Sequence, residues 1–174
     1  MARSYEQVSR EALEQVARLM CVAARTAPKT RGRDHLIVRI LEPGELEAAA
    51  GSMRALAERV SLPAFARDAE LVLRSPCAVL IGVRSSTLGL NCGYCGYASC
   101  SELEATPGVC AFNSMDLGIA VGSAAAQAAA LHADNRVMYT LGRGAMEAGL
   151  LEGAVQAVGI PLSATGKNPF FDRK

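Results

Sequence analysis

The sequence predicts a layered fold in which helices cover a β-sheet, of the α/β or α+β class. Apolar segments with the pattern of strands alternate along the 174-residue chain with segments that have the spacing of amphipathic helices. Just over half of the residues are apolar, which is enough for a sizeable core in one domain. Because the chain shows no internal repeat and no low-complexity linker, we expect residues 1–174 to form a single domain.

The first helix and the first strand have clear boundary signals. Ser4 and Gln7 have the spacing of a capping box, apolar residues then recur at helical spacing, and Pro28 ends the helix. Residues 36–41, LIVRIL, are rich in branched side chains and predict a strand. Residues 45–60 place their apolar side chains on one face and predict a second helix.

The remaining elements continue this alternation. A proline near its first turn favours a helix over 63–73. Residues 77–83, CAVLIGV, form a near-continuous apolar run that is typical of an interior strand buried on both faces. A helix rich in alanine and glycine is predicted over 114–132. The segment RVMYTL at 136–141 predicts a third strand, and residues 145–158 predict a last helix.

The charge pattern excludes several classes of function. The formal net charge is +1 and no run of lysine or arginine occurs, so a nucleic-acid surface has no electrostatic basis. The first 20 residues carry scattered charges and no apolar signal core. The uncharged stretch 117–131 is too short to span a bilayer and predicts a buried helix. We therefore expect a cytoplasmic protein that binds neither nucleic acid nor membrane.

Four of the six cysteines lie in the long connection 85–113, between the strand at 77–83 and the helix at 114–132. They follow the pattern C-x2-C-x4-C-x9-C and are Cys92, Cys95, Cys100 and Cys110. Long connections inside compact domains are usually functional. Clustered cysteines in a cytoplasmic chain indicate metal or redox chemistry before structural disulfides. Thiolates are soft ligands, which suit iron–sulfur clusters, zinc or cuprous copper.

A four-iron cluster is the interpretation that this segment favours. Gly93 and Gly96 follow the first two cysteines and can adopt positive φ, which lets the backbone wrap closely around a bulky centre. A structural zinc site also uses four cysteines, but usually as two close pairs, and here only one pair is close. A non-catalytic binding module stabilised by zinc is therefore the alternative. Two disulfides or a metal-free redox thiol pair complete the possibilities.

Other notable residues have structural interpretations. Cys21 lies on the apolar stripe of the first helix and Cys77 begins the buried run, so both are expected in the core. Asp116, near the start of the helix predicted from residue 114, is interpreted as a first-turn acid that complements the helix dipole. The aromatic pair Phe170 and Phe171 predicts that the C-terminal tail docks on a protein surface, for which a second subunit is a candidate.

The segment NCGYCGYASC resembles the N-x-C-G-x-C-G-x-x-x-C core of a known four-iron motif, found in corrinoid iron–sulfur proteins and in subunits of membrane redox complexes. Most of the chain is similar to a family of uncharacterised proteins that contain a ferredoxin domain. The segments that carry this similarity are AARTAPKTRGRDHL, RDAELVLRSPCAVLIGV, LGLNCGYCGYASC, DLGIAVGSAAA, DNRVMYTLG and GIPLSATGKNPFFDR. The resemblance implies a cluster site, and it implies little about a substrate because the family has no established activity. Our preferred hypothesis is a redox protein with one [4Fe-4S] cluster that exchanges electrons with a partner protein or a small molecule.

The order of AARTAP, CAVLIGV, DLGIAVGSAAA and VGIP also resembles flavin-dependent nitroreductases. This resemblance implies an α+β fold with a mixed sheet flanked by helices, a homodimer, FMN and an oxidoreductase activity. Lys29 and Gly32 stand where those proteins supply a serine and an asparagine to the flavin. Lys29, Arg31 and Arg33 are the candidates for binding a flavin phosphate.

Overall fold

The computed structural model describes residues 2–171 and contains, within them, four strands and six α-helices. The strands are β1 (Leu36–Leu41), β2 (Ala78–Arg84), β3 (Asp134–Asn135) and β4 (Ala154–Ser163). The helices are α1 (Tyr5–Thr26), α2 (Pro43–Arg59), α3 (Ala64–Leu73), α4 (Cys100–Glu104), α5 (Ala111–Ala130) and α6 (Tyr139–Glu147). No helix in this described part is both long and apolar enough to cross a membrane.

The strands form one sheet in the order β1-β2-β4-β3. Leu36 pairs with Val83 between β1 and β2, Ala78 pairs with Pro161 between β2 and β4, and each strand pair is antiparallel. This confirms the α+β class. The pairings among the described strands are all antiparallel, however, where we expected a mixed sheet.

Helices cover both faces of the sheet, which explains why β2 is apolar throughout. Side chains alternate between the faces of a strand. Val79, Ile81 and Val83 therefore pack with α1 and α5, whereas Ala78 and Leu80 pack with α2, α3 and α6. The interior strand predicted from CAVLIGV is confirmed by this burial on both sides.

Local sequence signals set the first half of the fold. The Ser4 side chain accepts a hydrogen bond from Gln7 N and the Gln7 side chain accepts one from Ser4 N, so the predicted capping box begins α1. Pro43 occupies the first turn of α2, where the backbone N–H that proline lacks would have no acceptor within the helix. The helices and strands predicted before residue 84 are confirmed, with boundaries that differ by at most two residues.

The region after residue 135 differs from the prediction. The strand predicted at 136–141 is wrong, because α6 begins at Tyr139 and only an isolated bridge joins Met138 to Gly159. The helix predicted at 145–158 is also wrong, because α6 ends at Glu147 and β4 begins at Ala154.

The C-terminal tail docks on its own chain. Phe170 is 2% exposed and belongs to the core beneath α2, α3 and α6. Arg136 Nη1 donates to Phe170 O at 2.8 Å, and its guanidinium lies 5.4 Å from the centre of the Phe171 ring. The tail therefore fixes the segment that leads from β3 into α6.

Candidate metal centre

The four clustered cysteines line one narrow cavity in the connection between β2 and α5. Cys92 is exposed, Cys95 and Cys100 are half-buried, and Cys110 is buried. Leu88 and the ring-bearing residues Tyr97 and Phe112 complete much of the wall. The segment thus brings together thiols that are up to 18 positions apart in the sequence.

The first cysteine pair lies on a tight turn. Gly96 N donates to Gly93 O at 2.9 Å, and these glycines have φ values of 85° and 74°, in the left-handed region. A Cβ atom at either position would meet no heavy atom within 4 Å. Glycine is therefore required here for its backbone conformation and not for space.

Asn91 holds the first and third cysteines in register. Its side-chain Oδ1 accepts a hydrogen bond from Cys100 N at 2.9 Å, and its own backbone N–H donates to Cys100 Sγ at 3.4 Å. Asn91 has φ 46°, a conformation that asparagine tolerates better than most residues. Asn91 was not among the site residues predicted from the sequence, although an asparagine directly before a cysteine turn was a usable signal.

The short helix α4 carries Cys100 at its first position. The Ser99 side chain accepts from Glu102 N at 3.2 Å, and Glu102 Oε2 accepts from Ala98 N at 3.1 Å. This pair of contacts resembles a capping box displaced by one residue. It fixes the direction in which the backbone delivers Cys100 to the cavity.

Cys110 is the N-cap of α5, a helix of 20 residues. Its carbonyl accepts from Asn113 N at 2.9 Å and from Ser114 N at 3.3 Å. Asn113 is fully buried; its Oδ1 accepts from Ser86 N at 3.0 Å, whereas its Nδ2 has no partner. A buried donor left in this way is costly unless a bound group supplies an acceptor.

The donor set fits a sulfur-rich cluster. The cavity is lined by four thiols, and its lining includes no histidine or carboxylate. A single zinc ion needs its sulfurs at about 2.3 Å from one point. No three Cys, His, Asp or Glu side chains among residues 2–171 are arranged to hold one ion. Thiolates around a cluster bind different irons and need not converge on one point. All six cysteines are free thiols, so the described chain contains no disulfide.

The three basic residues proposed for a flavin phosphate do not share a common partner. The Lys29 ammonium donates to Ala27 O at 2.8 Å and also to Arg25 O, at the end of α1. Arg31 Nη1 donates to Leu88 O at 2.8 Å. Arg33 is exposed and has no ion-pair partner among the described residues. Their role toward a phosphate stays a prediction.

Asp116 has a different role from the one expected. Because α5 begins at Ala111 and not at 114, Asp116 lies beyond the first turn of the helix. It is 4% exposed, and Oδ1 accepts from Thr30 N at 3.0 Å and from Thr30 Oγ1 at 2.9 Å. Asp116 therefore anchors the turn 30–32 against α5, and its interpretation as a first-turn acid was wrong.

A larger groove lies beside the cysteine cavity, between α5, α6 and β4. Its volume is about 710 Å³. Val109 and Ser114, on either side of Cys110, line one end, and Arg143 provides a cationic group. Ser114 Oγ donates to Gln156 Oε1 at 2.8 Å in the wall. The remaining lining is mostly apolar, from residues such as Leu117, Val121, Val137, Tyr139, Val155 and Val158. This groove was not predicted from the sequence, because two of the elements that form it, α6 and β4, were mispredicted.

Comparison with known proteins gives a relative and a family. A protein of Archaeoglobus fulgidus described as uncharacterized is 40% identical over 172 residues, which cover 94% of this chain and 92% of that protein. The model of a family described as "uncharacterized protein containing a ferredoxin domain" matches residues 106–173, a segment that includes Cys110.

Solved structures share the fold at low identity. An FMN-dependent nitroreductase from Mycobacterium smegmatis in complex with NADPH has a TM-score of 0.60 and 12% identity, over 88% of this chain and 78% of that one. A BluB-like flavoprotein from Clostridium difficile has a TM-score of 0.56 and 14% identity, over 90% and 85%. These similarities establish a nitroreductase-like fold. The chain belongs to the family of uncharacterized proteins that contain a ferredoxin domain.

Proposed function

We propose that the protein is a cytoplasmic redox protein that holds one [4Fe-4S] cluster on Cys92, Cys95, Cys100 and Cys110. The observation that supports this proposal is that these four thiols line one cavity whose lining includes no histidine or carboxylate. The ferredoxin domain of the family also supports a redox role. The protein would exchange electrons with a partner protein or a small molecule.

The cluster, when bound, supplies one-electron chemistry, and the surrounding residues control its charge and access. The N–H of Asn91 that donates to Cys100 Sγ withdraws negative charge from that sulfur. The start of α5 does the same at Cys110. Tyr94 stacks on Phe112, a residue of the cavity wall, with ring centres 5.8 Å apart. Cys92 is the most exposed thiol, so we expect electrons to enter or leave on its side.

Metal and sulfide analysis tests this function directly. Protein purified without oxygen would be assayed for iron, acid-labile sulfide, zinc and flavin, and its visible spectrum recorded. About four irons and four sulfides per chain would support the cluster. One zinc per chain without sulfide would contradict it and favour the alternative, a binding module in which zinc only ties down the loop.

A flavin-linked oxidoreductase is the second candidate, and the groove beside Cys110 favours it. The groove is large, mostly apolar, and has Arg143 as a cation for an anionic group. Structural relatives include an FMN-dependent nitroreductase. Titration with FMN would measure its affinity in the wild type, Arg143→Gln and Arg33→Gln. Weaker binding in Arg143→Gln alone would indicate the groove, and weaker binding in Arg33→Gln would indicate the basic segment. This candidate would be contradicted if the wild type did not bind FMN, or if both variants bound FMN as tightly as the wild type.

The protein is also proposed to form a homodimer through α5. Asp116, which is buried, is the only charged residue of this helix, so its exposed face carries no charge. Met115 and Ile119 are each 46% exposed on this face, and Gly118 and Gly122 have open space at the Cβ position. Light scattering should give a dimer for the wild type and a monomer for Gly122→Glu. Gly51→Glu, at an exposed helical glycine of α2, is the matched control. A monomeric wild type would contradict the proposal.

A further inference from the structure

Arg31 connects the turn 30–32 to the start of the cysteine loop. Its Nη1 donates to the carbonyl of Leu88, 57 residues away in the sequence, at 2.8 Å. Leu88 is 1% exposed and lines the cysteine cavity. Gly89, the next residue, has φ 67°, so the chain turns sharply directly after the contact. The guanidinium thus holds the point at which the backbone enters the cavity.

The backbone of Arg31 has an unusual conformation. Its φ of 56° and ψ of 19° lie in the left-handed region, which is unfavourable for a residue with a side chain. Such a conformation persists only where the surroundings hold it. Here Asp116 binds both Thr30 N and Thr30 Oγ1, directly before Arg31. Because Asp116 belongs to α5, the turn is fixed to the same helix whose N-cap is Cys110.

These contacts close a ring around the cysteine loop. The loop leaves Leu88, passes through the first three of the four clustered cysteines and reaches α5 at Cys110. From α5, Asp116 holds the turn 30–32, and Arg31 reaches back to Leu88. Both ends of the loop are therefore held relative to one another by side chains that lie outside it.

Arg31 is exposed and carries a charge that could act on the cysteine site. Its side chain forms no ion pair with any carboxylate of the described residues. A cation near a cluster with four thiolates stabilises the reduced state, which carries one more negative charge. We infer that Arg31 is a positioning residue for the cysteine site, which anchors the entry of the loop and whose charge favours the reduced cluster. The second part rests on the proposed function.

Three variants test this inference. Arg31→Gln removes the charge and shortens the reach to Leu88, and Arg31→Lys keeps the charge. Arg33→Gln removes an exposed charge two residues away and is the matched control. In metal-free protein, amide exchange over residues 88–93 should rise about tenfold in Arg31→Gln and stay unchanged in Arg33→Gln. In the loaded protein, the reduction potential should become more negative in Arg31→Gln but not in Arg31→Lys or Arg33→Gln.

The outcomes separate the two proposals. Equal exchange in Arg31→Gln and Arg33→Gln would overturn the anchoring role, whether or not a cluster binds. A potential that shifts as far in Arg31→Lys as in Arg31→Gln would overturn the charge effect. If the wild type takes up no iron or sulfide, the proposed function and the charge effect both fail. The exchange experiment on metal-free protein would still decide the anchoring role.

Discussion

Asn91 and Cys100 are joined by two hydrogen bonds that run in opposite directions. Asn91 Oδ1 accepts from Cys100 N at 2.9 Å, and Asn91 N donates to Cys100 Sγ at 3.4 Å. Cys100 is the first residue of α4, so its N–H has no acceptor within the helix. The asparagine supplies that acceptor and at the same time orients the sulfur. A single residue therefore sets both the backbone and the side chain of a proposed ligand.

Replacing Asn91 should loosen the site without unfolding the protein. Asn91→Gly keeps the left-handed backbone but removes the acceptor, and Asn91→Asp keeps an acceptor. Loss of one hydrogen bond is worth about 1 kcal/mol, so exchange of the Cys100 amide should rise about fivefold in Asn91→Gly. Asn91→Asp should behave like the wild type. Equal protection of this amide in both variants would show that the side chain does not hold Cys100.

Cys110 should be required for the cluster, and Cys21 should not. Cys110→Ser is a suitable variant because serine is a preferred N-cap and keeps the start of α5 intact. We expect iron and sulfide to fall to less than half of the wild-type content in Cys110→Ser and to stay unchanged in Cys21→Ala. Circular dichroism would check that both variants are folded. Full iron content in Cys110→Ser would mean that the fourth iron has another ligand or is open to substrate.

Cys77 should be inert in the folded protein at neutral pH. Burial, with smaller contributions from the charges of Glu14 and Cys21, raises the pKa of its thiol to about 11. Its Sγ contacts Leu13 O at 3.8 Å inside the core. Because the thiolate is the reactive form, iodoacetamide at pH 8 should modify exposed Cys92 in metal-free protein while Cys77 stays unmodified. Peptide mass spectrometry would report both sites, and rapid labelling of Cys77 would contradict its burial.

The same thiol should make stability depend on pH in the alkaline range. The thiol ionises near pH 9 in the unfolded chain but near 11 in the folded protein, so the folded state holds the proton more tightly. The stabilisation that comes from the protonated Cys77 thiol is present below about pH 9 and is lost as the pH rises to about 11. The free energy of unfolding should fall over this range by an amount on the order of 3 kcal/mol. Urea titrations should show this decline in the wild type and a smaller one in Cys77→Ala. Cys92→Ala, at an exposed position, should decline like the wild type.

The sequence was sufficient for elements whose signals are local. The capping box of Ser4 and Gln7 set the start of α1, and the apolar run at 77–83 predicted the central strand. The spacing of the cysteines was visible in the same way. The partner of Arg31 was not predictable, because this contact depends on how distant segments meet. No local pattern encodes a contact across 57 residues.

The mispredicted region shows how tertiary contacts override local preference. The segment RVMYTL has the branched and aromatic composition of a strand, yet α6 begins within it at Tyr139. Residues 145–158 have helical spacing, but Gly149 and Gly153 have φ values of 70° and 78° and end the helical path. The residues that follow complete the sheet, since β2 pairs with a strand on each side, β1 and β4.

Two glycines should respond in opposite ways to the same substitution, which tests the packing of α6 on the sheet. A Cβ at Gly142 would lie 2.0 Å from Ala157 O and 2.7 Å from Val158 N, in the backbone of β4. Because backbone atoms cannot move aside as a flexible side chain can, Gly142→Ala should lower the free energy of unfolding by about 3 kcal/mol. Gly51, inside α2, has no heavy atom within 4 Å of its Cβ position.

Gly51→Ala should therefore raise the free energy of unfolding by about 0.5–1 kcal/mol, since alanine loses less backbone entropy in a helix. Urea titration of both variants with the same probe gives the comparison. If Gly142→Ala were as stable as the wild type, α6 could not lie as close to β4 as the contact with Ala157 requires. The presence of glycine at position 142, inside α6, would then have to be explained by something other than this close approach to β4.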